Sequence, residues 1–212
     1  MEAIKNSVKD MGNFRPFYHE TVPITIRVAQ AVGLTASAFL CGSTIAATTV
    51  TVPSLLEAPA PLLAKQWRKM YDLIGGVSPA VSAVCGLTFA GLAYREPMAT
   101  PSFNLYVAAS VLLLPGTLAY TFLTTKPTTD KLLEKTTSLS KASITDTAAE
   151  SGVAQEETVH ALVDKWASLN LLKGAMYGVG ALLAAWATIG EIDVRPFDLD
   201  SIGFKTGANR VS

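Results

Sequence analysis

The chain has 212 residues, 50% of them hydrophobic and only 16% charged, with a mean hydropathy of +0.34. Soluble domains ordinarily carry about 25% charged residues, so the composition points to a membrane protein. Basic and acidic residues balance at 17 each, and no basic stripe interleaved with aromatics occurs, which argues against a nucleic-acid partner.

The first 22 residues read as a polar segment without the apolar core of a secretory signal, with Phe14, Phe17 and Tyr18 as interfacial anchors. Uncharged runs follow at Val28–Leu56, Leu73–Tyr94, Pro97–Thr125 and Gly174–Gly190. About 20 apolar residues suffice for one crossing of a bilayer. The expected fold is therefore all-α, a four-transmembrane-helix bundle with one or two interfacial amphipathic helices. A soluble all-α domain with buried helices is the alternative. The expected boundaries are a polar segment 1–22, a membrane domain 23–190 and a polar tail 191–212, with Phe197 and Phe204 as possible anchors in the tail. Within the domain, helices fall near 24–55, 73–94, 100–125 and 154–190, with a surface helix at 62–74.

Helix one gathers Gln30, Ser37, Cys41, Thr44 and Thr48 on an arc of about 60°. A small-residue packing seam and a lined cavity both explain that arc; Gln30 favours the cavity. Cys41 and Cys85 sit in apolar runs and read as small buried hydrophobes. Pro53 and Pro59-Ala60-Pro61 end the helix. The surface helix then carries Leu63, Gln66, Trp67, Met70, Tyr71 and Ile74 on one side and Lys65, Arg68, Lys69 and Asp72 on the other. This is the pattern of a helix lying on a membrane surface, with interface anchoring or a binding role open for Trp67 and Tyr71.

Helix two offers Ser82, Gly86 and Ala90 as a close-packing face and is assigned structure alone. Helix three carries Tyr106, Ser110, Thr117, Tyr120, Thr121 and Thr124 within about 100° of arc. Pro115 interrupts it, leaving a kink or a pocket. A Ser/Thr-rich loop, read as mobile, follows Lys126-Pro127-Thr128. The last helix opens on Lys165–Lys173, where Trp166, Asn170, Lys173 and Tyr177 share about 60° of arc. A polar stripe leading into so apolar a segment is costly unless it faces a cavity or a partner. His19 and His160 have no metal-ligand spacing around them, and His160, about 120° off the stripe, reads as a surface residue.

Four crossings place the Gln66-Trp67 helix, Lys126-Pro127-Thr128 and the start of the last helix at one mouth of the bundle, a common location for ligand pockets. Basic residues divide almost evenly between the two faces and do not orient it.

These stretches carry a resemblance. Gln66-Trp67-x-x-x-Tyr71, Pro79, Pro115-x-Thr117, Lys126-Pro127-Thr128 and Trp166-x-x-x-Asn170-x-x-Lys173 stand in an order that resembles the fungal anthrone oxygenase family, small four-helix membrane proteins of polyketide pathways. The chain departs from that family's pattern at Thr129, where Asn is common, and at Lys173, where Arg is common. Lysine keeps the charge and loses the bidentate fork.

The resemblance implies oxidation of an anthrone-like aromatic polyketide by dioxygen as co-substrate, with no metal or flavin cofactor. It further implies an internal membrane such as the endoplasmic reticulum and polyketide synthase pathway enzymes as partners. Lys173, Asn170 and Tyr71 are the catalytic candidates, and Gln66, Trp67, Trp166, Tyr177 and Thr128 the substrate-binding ones. Lys173 suits developing negative charge, or could act as the base. Two other readings stand beside this one: a non-oxidative cyclase or lactone-forming helper on a membrane-soluble polyketide, and a non-catalytic lipid- or partner-binding membrane protein.

Overall fold

The computed structural model describes residues 22–146 and 148–190. Residues 1–21 and 191–212, including the expected anchors Phe14, Phe17, Tyr18, Phe197 and Phe204, lie outside the described residues.

Among the described residues, five helices build the fold and no strand occurs. Helix α1 spans Ile24–Leu55. The amphipathic α2, Ala60–Ile74, turns at Gly75-Gly76 into α3, Val77–Arg95. Helix α4 runs Pro101–Lys141 and α5 Val159–Gly190. Among the described residues, four stretches are long and apolar enough to cross a membrane: α1, α2–α3, α4 and α5. Apolar side chains such as Phe39, Phe122, Leu182 and Trp186 are more than half exposed on the outside of the bundle, as expected of a surface that meets lipid tails.

Glycines let the helices approach. A Cβ on Gly180 would lie 2.7 Å from Leu113 of α4, and one on Gly86 of α3 would lie 2.6 Å from the Leu114 Cβ. Two packed layers result. One, in the middle of the bundle, centres on Leu40, Phe89, Tyr106, Leu113 and Tyr177. The other holds Leu63 and Trp67 of α2, Leu132 of α4 and Val163 and Trp166 of α5. Helix α2 is thus bound into the mouth of the bundle by its aromatic side, with Lys65, Arg68 and Lys69 exposed. Cys85 is buried, Cys41 is half-buried beside Gly178, and both are free thiols.

Helix α4 continues past Thr125, where the uncharged run ends and the helix is expected to end with it. Three prolines explain how. A proline lacks an N–H and its ring collides with the carbonyl four residues back. Each of Pro53, Pro115 and Pro127 sits in or just beyond a widened π-type turn, at Ala47–Thr51, Leu112–Gly116 and Thr121–Thr125 respectively. In such a turn the backbone bond skips one residue further, as Val52 N–H to Ala47 O and Lys126 N–H to Thr121 O do. The widened turn relieves the clash and lets the helix resume.

The connection after α4 is tied to the start of α5 through Glu150. Both carboxylate oxygens of Glu150 accept from the Val159 backbone N–H at 3.1 Å, and the carboxylate meets Lys135 at 3.5 Å. Thr158 completes the cap by accepting from Ala161 N–H. His160, expected at the surface, is half-buried, its Nε2 3.0 Å from the Ala58 carbonyl in the turn before α2. Replacing Glu150 with alanine removes a charged cap from the α5 N-terminus. We expect a loss of about 1–2 kcal/mol, read from thermal loss of helicity in detergent, with Glu150→Gln losing less.

Candidate functional site

A cavity of about 710 Å³ opens between the two packed layers at the α2 end of the bundle. Every helix contributes to its wall. From α1 come Thr44, Thr48 and Thr51; from α2 come Met70 and Tyr71; Ser78 and Pro79 open α3 beside it. Helix α4 supplies Thr117, Thr121, Thr125 and Thr129, and α5 supplies Trp166, Asn170, Lys173 and Tyr177. Two of the three widened turns, in α1 and at Thr121–Thr125, lie directly in this wall. Departures from α-geometry often concentrate at functional sites because they re-aim side chains and free carbonyls.

Each polar group in the wall is held in a definite way. Asn170 is 4% exposed and donates from Nδ2 to the Trp166 carbonyl at 2.8 Å, one turn back. Its Oδ1 has no protein partner among the described residues. Tyr177 is buried with its phenol beside Ser82. Ser82 in turn donates to the Leu113 carbonyl and lies 3.2 Å from the Thr117 hydroxyl. Thr117 also donates to the Leu113 carbonyl, at 2.6 Å. The carbonyl two residues before Pro115 is therefore doubly satisfied by side chains. This is the kind of repair an irregular backbone needs inside a bilayer.

Lys173 is half-buried, and among the described residues no carboxylate lies within ion-pair distance of it. The cations and anions at the rim are spent on one another, as Lys126 with Asp130 at 2.9 Å. An unpaired ammonium within a membrane span is costly and marks a functional position by default.

Tyr71 stacks on Trp67, ring centroids 5.3 Å apart and planes inclined 12°, and Trp67 meets Trp166 edge-on at 5.8 Å. Gly75 makes room for this arrangement, since a Cβ there would lie 3.1 Å from the Tyr71 ring and 2.7 Å from the Tyr71 carbonyl.

Five of the eight residues singled out from sequence line the cavity: Lys173, Asn170, Tyr71, Trp166 and Tyr177. Three do not. Trp67 is wholly buried behind Tyr71 and Trp166, part of the packing layer. Gln66, one residue earlier and so about 100° around the helix, is exposed on the outer side of α2. Thr128 is buried but outside the wall, where its neighbour Thr129 stands. Sequence reasoning missed Thr125 and named Thr129 only as a departure from the family pattern, although threonines at 117, 121, 125 and 129 recur every four residues, the spacing of one helix face. It also assigned Ser82 to packing alone, whereas Ser82 touches both the repaired carbonyl and Tyr177. Among the described residues, no group of three His, Cys, Asp or Glu side chains is placed to hold a metal ion.

Fold and cavity together define a small multi-pass helical membrane protein with a ligand-sized, hydroxyl-lined pocket at one end of its bundle. More narrowly, the chain belongs to the anthrone oxygenase family, whose pattern matches residues 67–183. It is 29% identical to the anthrone oxygenase encC of Aspergillus fumigatus over 169 residues, covering 76% of this chain and 92% of that protein. It is 30% identical to the anthrone oxygenase AgnL2 of Paecilomyces divaricatus over 163 residues, covering 74% of this chain and 93% of that one. No solved structure matches the chain. The matched region takes in the cavity walls of α2, α3, α4 and α5; the α1 wall lies before it.

Proposed function

We propose that this protein oxidises an anthrone-like aromatic polyketide to its quinone with dioxygen, in the cavity and without a metal or flavin. The observation that carries the reading is Lys173: an amine with no counter-ion among the described residues, sharing one pocket with Asn170 and Tyr71 in a chain of the anthrone oxygenase family. A pocket of this volume is ordinary for a ligand of drug-like size.

The chemistry needs little beyond binding and charge stabilisation. Loss of one proton from the substrate methylene to water gives an electron-rich anthranolate. The Lys173 ammonium stabilises its oxygen where negative charge develops. The anthranolate gives electrons to dioxygen, and a C–O bond forms at the former methylene carbon. The resulting peroxide anion takes up a proton, and loss of water leaves the new carbonyl. One oxygen atom ends in the quinone and the other in water. Asn170, fixed by its bond to the Trp166 carbonyl, binds an oxygen function of the substrate. The Tyr71 ring, braced by Trp67, supplies a flat surface for the aromatic rings. The setting is an internal membrane such as the endoplasmic reticulum, and polyketide synthase pathway enzymes supply the substrate.

Adding an anthrone to the purified protein in detergent micelles should consume dioxygen above the spontaneous rate, one molecule for each quinone formed. Turnover of a linear polyketide without oxygen uptake would replace this reading with a cyclase or lactone-forming one.

A further inference from the structure

The hydroxyl groups of the cavity wall are not interchangeable, because those along one face of α4 have mostly committed their protons. On α4, Thr117 donates to Leu113 O at 2.6 Å, Thr121 to Thr117 O at 2.7 Å and Thr129 to Thr125 O at 3.0 Å. Across the cavity on α1, Thr48 donates to the Thr44 and Ile45 carbonyls at 3.0 and 2.9 Å. A threonine bonded back onto its own helix keeps its oxygen lone pairs and has no proton left to offer. Asn170 commits one of its two amide protons to the Trp166 carbonyl and keeps the other. Thr125, 4% exposed, is the exception on the ladder, its hydroxyl buried without a hydrogen-bond partner among the described residues. The α4 face of the wall therefore presents mainly acceptors, and Lys173 is a charged donor on the α5 side of the same cavity.

From this inventory we infer that the α4 threonine ladder is a specificity wall reading hydroxyl donors on the ligand, with Thr121 and Thr129 as its main acceptors. The ligand it fits is a flat aromatic carrying free O–H groups along one edge and an anionic or carbonyl oxygen towards Lys173. A methoxy group at the same position has no proton to give, so it leaves the wall unanswered and forfeits a hydrogen bond in a water-poor site. The inference rests on the oxidation reading only for the choice of probe.

The test compares a hydroxyanthrone with its methyl ether, substituted on an outer ring away from the carbonyl, by oxygen uptake on the purified protein. The hydroxy compound should be favoured about tenfold in kcat/KM, the effect of roughly one well-placed hydrogen bond. In Thr121→Val/Thr129→Val that ratio should fall close to one. Valine has nearly the shape of threonine, so a preference based on size alone would survive the change. Thr124→Val, on the exposed side of the same helix, should leave the ratio where it is. The inference is overturned if the double variant keeps the wild-type ratio, or lowers both substrates equally. Should neither compound be oxidised, calorimetric binding of the same pair to wild type and double variant reads the same ratio. A preference lost with the threonines then upholds the wall while the oxidation reading falls.

Discussion

Lys173→Met lowers kcat/KM for anthrone oxidation by about 10²–10³-fold, the usual cost of removing a group that stabilises developing negative charge. Methionine nearly preserves the length and volume of the lysine stem. Because no carboxylate is paired with Lys173 among the described residues, the substitution leaves no buried charge stranded. Helicity and thermal stability in detergent should therefore stay at or above wild type, which separates a chemical loss from a folding loss. Lys173→Arg then divides charge from proton transfer. Arginine keeps the positive charge but does not release a proton in proteins. If the ammonium acts by charge, the arginine variant keeps activity within about tenfold of wild type. Should it fall as far as the methionine variant, Lys173 works as the base. Unchanged activity in both variants would remove Lys173 from the site altogether.

The bundle and one wall of the cavity could be read from the chain because both depend on periodicity. Uncharged runs give helices, and Trp166, Asn170, Lys173 and Tyr177 fall on one face of α5 whatever it packs against. That face lines the cavity as a unit. What periodicity cannot supply is which face of a short amphipathic helix turns inward, and by how much. Gln66 and Trp67 are adjacent in sequence, yet one is exposed and the other wholly buried, because α2 docks through Leu63, Trp67 and their contacts to α5. The extension of α4 was hidden for a different reason. Pro127 signals a helix end in an α-helical ladder, and only the widened turn before it removes the conflict. That same turn lies at Thr125 in the cavity wall. The proline that obscured the helix is thus coupled to the geometry that forms the pocket.

Trp67→Ala should be the most destabilising single change at this end of the bundle, although Trp67 touches no substrate. Its side chain is fully buried between α2, α4 and α5, and deleting a buried tryptophan costs about 3–5 kcal/mol. The loss also reaches the cavity. Tyr71 gives up the ring it stacks on, and Trp166 the edge it packs against. Both line the pocket, so whatever protein remains folded should show kcat/KM reduced by about tenfold or more, since small misplacements of a bound substrate are expensive in rate. Trp67→Phe separates packing from recognition. Phenylalanine keeps an aromatic plane under Tyr71 and deletes an indole N–H that is buried without a partner among the described residues. An unpaired buried donor costs about 1–3 kcal/mol, so its removal offsets the lost volume and Trp67→Phe should unfold within a few degrees of wild type with KM unchanged. A stable Trp67→Phe protein with a strongly raised KM would instead mean that the indole reaches the substrate and that the wall of the cavity extends one layer deeper than Tyr71.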